Sequence, residues 1–344
     1  VEYRPHPRGL LEAREALAAA LSAPGDPVDP EDLILTASTS ESYSFLWKLF
    51  ADPGDEVLAF SPSYPLLDGL AALDGLSLRH VPLSPHPDRP GGRRFAIDPE
   101  AVREALSPRT RLLAVIHPGN PSGRYLSPEE QEELARLCAE RGLPLVSDEV
   151  FAEYPLREDV DRAGPAAATA SLGLSFSLGG LSKGLGLPGW KLGWLRAGGP
   201  PDLRRRALAA LEHVADSYLS VATPVQRALP ELLALAPRLQ ALLRERLRTN
   251  LATLRAALAG SPGIELLEPE GGWSAVLQVP GSLPDEDLTL ELLERTGVLL
   301  HPGYFFDFAS EDFLVLSLLP EPVIFAQGVC RLSEELTRLA GRHG

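Results

Sequence analysis

The sequence predicts an α/β fold: a three-layer sandwich of helices around a mainly parallel sheet, followed by a smaller α+β domain. Three observations lead there. Short apolar runs alternate with helical patterns through the first half of the chain, the rhythm of strand-helix-strand units. Leu112-Leu-Ala-Val-Ile116 and Leu143-Pro-Leu-Val146 are continuously apolar, as strands covered on both faces must be. Polar residues collect just beyond the strands, at Ser38 to Ser40, Tyr64, His117 to Asn120 and Asp148, where parallel sheets gather their ligands.

Each element has a local reason. The proline-rich opening, Val1 to Gly9, leads into the helical pattern Leu10 to Leu21, which Ser-Ala-Pro-Gly ends. Leu33-Ile-Leu-Thr36 reads as a buried strand and Tyr43 to Phe50 as an apolar helix. Between them Ser38, Thr39 and Ser40 stand at a helix start, where hydroxyls and free amides either hold a phosphate or simply cap the helix. Strands at Glu56 to Phe60 and Ser77 to Val81 flank a helix at Leu66 to Leu73, and another helix covers Pro99 to Leu106. Pro201 to Leu258 is a run of long amphipathic helices rich in Leu, Ala and Arg, read as the region between domains. Beyond it, Gly263 to Leu267, Trp273 to Val279 and Leu314 to Leu318 read as strands, with helices at Leu288 to Thr296 and Val323 to Ala340.

Composition narrows the function. At 344 residues, 44% hydrophobic and 23% charged, the chain is an ordinary globular protein with room for two domains. A net charge of −15 argues against nucleic-acid binding, since a phosphate backbone repels so acidic a surface. The only cysteines, Cys138 and Cys330, have no spacing for a metal or a disulfide framework, so a reducing cytoplasm is expected. No apolar run reaches membrane-spanning length, and no secretory signal is seen. The chain opens on Val1 and has no methionine, so a processed or trimmed start is expected.

The most informative stretch is Ser177-Leu-Gly-Gly-Leu-Ser-Lys-Gly-Leu-Gly-Leu-Pro-Gly-Trp-Lys-Leu-Gly-Trp194. It sets Lys183 among glycines and aliphatic residues, where an ammonium tends to lose its proton and the neutral amine can attack a carbonyl to form a Schiff base. The alternative is a glycine-rich surface turn with a solvated lysine.

A strand, His117-Pro-Gly-Asn120-Pro-Ser-Gly123, a helix, a strand, Ser147-Asp148-Glu-Val-Phe151, and then Ser182-Lys183 resemble the fold-type I pyridoxal-phosphate enzymes of the class I and II aminotransferase family. The likeness is most specific from Tyr3 to Trp194. It continues more weakly through the Gly271-Gly272 turn and the His301-Pro-Gly303 loop. It implies domains at residues 1–20 (a segment and helix near a dimer interface), 21–222 (cofactor-binding) and 223–344 (small).

It also implies roles. Lys183 would hold the cofactor and move a proton. Asp148 would keep the ring nitrogen protonated, Asn120 would bond the ring's phenolic oxygen and Tyr64 would lie on the ring. Phosphate would be held by Ser38, Thr39, Ser40, Ser182, Lys191 and, from a neighbouring subunit, Tyr3, which requires a homodimer. Gly180 stands where many relatives have a hydroxyl, and Lys191 where they have arginine.

Two further departures bear on substrate. Phe151 replaces a tyrosine that bonds the phenolic oxygen, and Tyr154 is the candidate to compensate. Val315 stands where relatives carry the arginine that grips the substrate carboxylate, so either Arg124 supplies that grip or the substrate is held in another way. Tyr304, in Tyr304 to Phe308, either lines a substrate pocket or packs between domains.

The expected activity is amino transfer between an amine or amino acid and a keto acid. A lyase, decarboxylase or cyclase on the same scaffold is the alternative. A catalytically silent binding module is the reading of another class, opposed by the presence of Lys183, Asp148 and Asn120.

Overall fold

The structure, a computed structural model, describes residues 4–86, 94–158, 160–169, 171–261, 263–279 and 283–340. Its centre is a seven-stranded sheet of β1 (Leu33–Thr36), β2 (Glu56–Ser61), β3 (Ser77–Pro82), β6 (Thr110–Ile116), β7 (Leu145–Asp148), β8 (Ser175–Gly180) and β9 (Gly193–Gly198). The spatial order is β1-β9-β8-β7-β6-β2-β3, and only β9 runs against its neighbours. A separate antiparallel pair joins β4 (Ser84–His86) to β5 (Arg94–Ala96).

Side chains alternate across this sheet and build a core on each face. On one face, Leu112 and Ala114 of β6 pack with Phe176 and Leu178 of β8 beneath α2 (Thr39–Phe50), α3 (Leu66–Leu73) and α8 (Pro201–Tyr218). On the other, Leu113 and Val115 pack with α4 (Pro99–Ala105), α5 (Pro128–Glu140) and α6 (Ala166–Thr169). β1 and Trp194 continue that layer against α1 (Leu11–Leu21) and α9 (Thr223–Ala234). Each fully buried Leu or Phe contributes about 1.5–3 kcal/mol, which is why β6 tolerates no polar side chain between Leu112 and Val115.

Local chemistry sets the helix starts. The helix expected over Tyr43 to Phe50 begins at Thr39, because Ser38 Oγ accepts the Glu41 amide at 3.2 Å while the Glu41 carboxylate accepts the Ala37 amide at 2.6 Å. Ser127 caps α5 with a complete capping box to Glu130.

The run from Pro201 to Leu258 is three helices, not a uniform array. Leu219, in the left-handed region at φ 67°, ends α8, and α10 (Ala236–Leu258) follows α9 directly. The cores divide within α10. Its later residues Leu247, Leu251 and Leu254 join a second core with α11 (Asp285–Thr296), α12 (Pro322–Ala340) and an antiparallel sheet. That sheet contains β10 (Glu265–Leu267), β11 (Ser274–Gln278), β12 (His301–Pro302) and β13 (Phe313–Ser317), in the order β10-β11-β13-β12.

Gly198 shows how tightly the sheet meets its cover. A β-carbon there would sit 2.0 Å from the Ala167 carbonyl oxygen and 2.6 Å from its carbon, and backbone cannot yield as a side chain does. Gly198→Ala is therefore expected to cost about 1–3 kcal/mol, read as a lower midpoint in urea with an unchanged slope.

Candidate active site

The strand ends converge on one cavity of about 240 Å³. The β1–α2 junction brings Ser38, Thr39 and Ser40 to it, the loop after β6 brings Asn120, and the end of β7 brings Asp148. From β8 the chain enters a single turn, α7 (Leu181–Gly184), which carries Ser182 and Lys183. It returns through a short turn at Pro188–Trp190 to Lys191, held at φ 50°, and enters β9 at Gly193. Tyr64, after β2, completes the wall. Tyr3 lies outside the described residues.

The phosphate-sized end is a cup of donors. The first amides of a helix have no partner within it, and since Ser38 engages Glu41 and Ser42, those of Thr39 and Ser40 are left to the cavity. The Thr39, Ser40 and Ser182 hydroxyls and the Lys191 ammonium share that lining. A β-carbon on Gly193 would come within 3.1 Å of the Ser38 carbonyl carbon, so the β9 backbone runs close under the cup and any larger residue there would press on the Ser38 backbone.

Burial tunes the acid and the amine. Desolvation pushes the Asp148 carboxyl up to about 6, although the Val150 amide at 3.2 Å and the Lys183 charge pull the other way. Desolvation also lowers the Lys183 pKa, opposed by the charge of Asp148. Tyr43, one helical turn beyond Thr39, lies against Asp148. Its hydroxyl is buried beside that carboxyl, and its pKa is raised by desolvation first and then by the charge of the neighbouring acid.

His117 takes no part in this chemistry. Leu126 N–H donates to its Nδ1 at 2.9 Å and its Nε2 lies 3.3 Å from Ala163 O, so a neutral ring spends both nitrogens on structure. Burial holds its pKa down to about 4.

Three readings from the sequence change. Arg124 is not available to grip a substrate: its Nε donates to Phe95 O at 2.6 Å and its guanidinium pairs with Glu130, away from the cavity. Tyr154 does not replace the missing tyrosine hydroxyl, because its own hydroxyl donates to Gly184 O at 2.9 Å and its ring is fully buried. Tyr304 is exposed and turns its hydroxyl to Glu286 at 3.2 Å, outside the cavity. Val315 is buried in an apolar cluster with Phe95, Phe306 and Phe313, so that strand offers a carboxylate no charge.

Sequence reasoning also missed Trp273. Its ring lies 5.4 Å from Lys183 Nζ and meets Phe151 and Tyr154 edge-on, at 5.4 and 5.3 Å. The signal was the double glycine before it: Gly271 and Gly272 donate to Gly123 O and Tyr154 O at 2.8 and 3.1 Å, which ties that turn to the asparagine loop.

Comparison with known proteins gives this geometry a family. The family model "Aminotransferase class I and II" matches residues 3–322. The chain belongs to that family. The aspartate/prephenate aminotransferase of Thermus thermophilus is 30% identical over 99% of this chain and 84% of its own length. Capreomycidine synthase of Streptomyces vinaceus is 33% identical over 95% and 80%. Among solved structures, an alanine aminotransferase from Pyrococcus furiosus shares the fold at a TM-score of 0.88 and 23% identity, covering 98% of this chain and 84% of that one. As an aminotransferase, the enzyme uses pyridoxal phosphate to move amino groups between amino acids and keto acids.

The donor set suits that cofactor. A flat ring that carries a phosphate at one end and a protonatable nitrogen at the other needs an anion cup, a buried acid and an amine between them. Among the described residues, no salt bridge claims Lys183 or Asp148.

Proposed function

We propose that Lys183, Asp148, Asn120, Tyr64 and the Ser38–Ser40, Ser182 and Lys191 cup divide the work of amino transfer among them. When bound, pyridoxal phosphate supplies the electron sink. Lys183 Nζ, its proton loosened by burial, would tether the cofactor's aldehyde carbon with loss of water and, once released, would hold and move a proton at that same atom. Asp148 would face the ring nitrogen and keep the charge there. The α2 amides, three hydroxyls and Lys191 would hold the phosphate, Asn120 would donate to the ring oxygen, and Tyr64 would cover the ring and exclude water.

The observation that carries this reading is the convergence of one desolvated amine and one desolvated acid on a cavity closed at one end by an anion cup. Reconstituted enzyme given an amino donor alone should change absorbance once and stop, then recover when a keto acid is added. Continuous turnover without a keto acid would favour the lyase or cyclase reading. Two observations support a reaction other than amino transfer: the buried Val315 and the similarity to capreomycidine synthase, a relative named a synthase and not an aminotransferase.

The proposal extends to setting. The resemblance that places Tyr3 in a neighbouring subunit's site supports a homodimer, tested by sedimentation. The unpaired thiols of Cys138 and Cys330 support a reducing cytoplasm. The net charge of −15 speaks against nucleic acid. Among the described residues no helix is long and apolar enough to cross a membrane.

A further inference from the structure

Lys183 sits on a helix of one turn, and so short a helix cannot fix a side chain by its own hydrogen bonds. Its exit is pinned from outside. The Gly184 carbonyl accepts Tyr154 Oη–H at 2.9 Å and Gln240 Nε2–H at 3.2 Å, two side chains from segments far away in the chain. Tyr154 is itself immobilised. It is fully buried in the core formed with Leu247 and Leu251 of α10, its carbonyl accepts the Gly272 amide at 3.1 Å, and its ring abuts Trp273. Trp273 in turn lies over the lysine amine. The peptide after the lysine and the amine at its tip are thus held by one connected unit, built on the second core rather than on the main sheet.

We infer that Tyr154 and Gln240 are positioning residues, which fix the Gly184 carbonyl, one peptide beyond Lys183, and so keep the amine aimed into the cavity beside Trp273. The inference rests on the proposed role of Lys183. A lysine has four rotatable side-chain bonds, so a small backbone rotation is magnified at Nζ, and a misplacement of about 1 Å at a reacting atom can cost up to a hundredfold in rate. Neither residue touches the cofactor under this reading. Each acts through the peptide.

The test uses two forms of the cofactor. Apoprotein is mixed with pyridoxal phosphate, quenched with borohydride at timed intervals, and the Lys183 peptide is quantified by mass spectrometry. Tyr154→Phe keeps the ring against Trp273 and removes one donor. It should slow labelling about tenfold. Gln240→Glu keeps the shape and replaces a donor by an acceptor facing the Gly184 oxygen, and should slow labelling by about as much. Pyridoxamine phosphate, which has no aldehyde for the amine to attack, should bind both variants as it binds the parent.

Labelling at the parental rate in both variants would overturn the inference. So would a parallel loss of pyridoxamine phosphate affinity, which would mean that the cavity as a whole had been disturbed. If Tyr154→Phe fails to fold, Gln240→Glu, on the partly buried face of α10, decides alone. If the parent protein itself is never labelled at Lys183, the cofactor reading fails, an outcome distinct from the other two.

Discussion

Lys183→Ala should abolish covalent attachment of the cofactor and lower amino transfer by a factor on the order of 10⁴, since it removes both the nucleophile and the proton carrier. No neighbour can substitute. The sequence contains only three lysines. Lys48 pairs with Asp74 beside Tyr218, and Lys191 belongs to the anion cup. Non-covalent binding should survive, because the cup and Asp148 remain. Stopped-flow absorbance with a donor, together with equilibrium dialysis of the cofactor, separates the two losses.

Asp148→Asn should lower turnover about a hundredfold or more, because a neutral amide cannot keep a charge on the ring nitrogen. The same substitution should stabilise the apoprotein. Burial raises the Asp148 carboxyl from an ordinary 3.8 to about 6, so the folded chain holds this proton more tightly than the unfolded chain. The penalty is absent below pH 4, grows between pH 4 and 6, and stays constant above. It amounts to about 3 kcal/mol. Apoprotein stability should therefore fall as pH rises through that window, and Asp148→Asn should lack this part of the fall.

Glu149, raised to about 7 chiefly by burial and in smaller part by the Asp148 charge, gives a decline from about pH 4.5 to 7 in the parent and a slightly smaller one in the variant. The difference between parent and variant in urea titrations therefore reports Asp148 together with its small effect on Glu149. Saturation with cofactor should shrink that difference, since a positive ring nitrogen relieves the buried acid.

Much of this was legible in the chain alone, for physical reasons. A strand covered on both faces must be apolar throughout, so Leu112 to Ile116 announces its place in the sheet, and the residues that follow such strands fall at one edge of it. That rule brings Ser38 to Ser40, Asn120 and Asp148 to one cavity. The early start of α2 was also legible, in the Ser38-x-x-Glu41 pattern, which a reading based on apolar periodicity alone passes over.

What stayed hidden depends on contacts between distant segments. The fate of Arg124 is decided by the Phe95 carbonyl and by Glu130, and the Tyr154 hydroxyl by Gly184, thirty residues away. Trp273 reaches Lys183 from the other core, across ninety residues of chain. Neither spacing nor hydrophobic pattern encodes such meetings, which depend on how the second core docks on the sheet.

The most direct measurement is borohydride reduction of the reconstituted protein followed by peptide mapping of its lysines. This account predicts cofactor mass on the peptide containing Lys183 and none on those containing Lys48 or Lys191. Label on either of the others, or a reconstituted protein that takes up no cofactor, would contradict it.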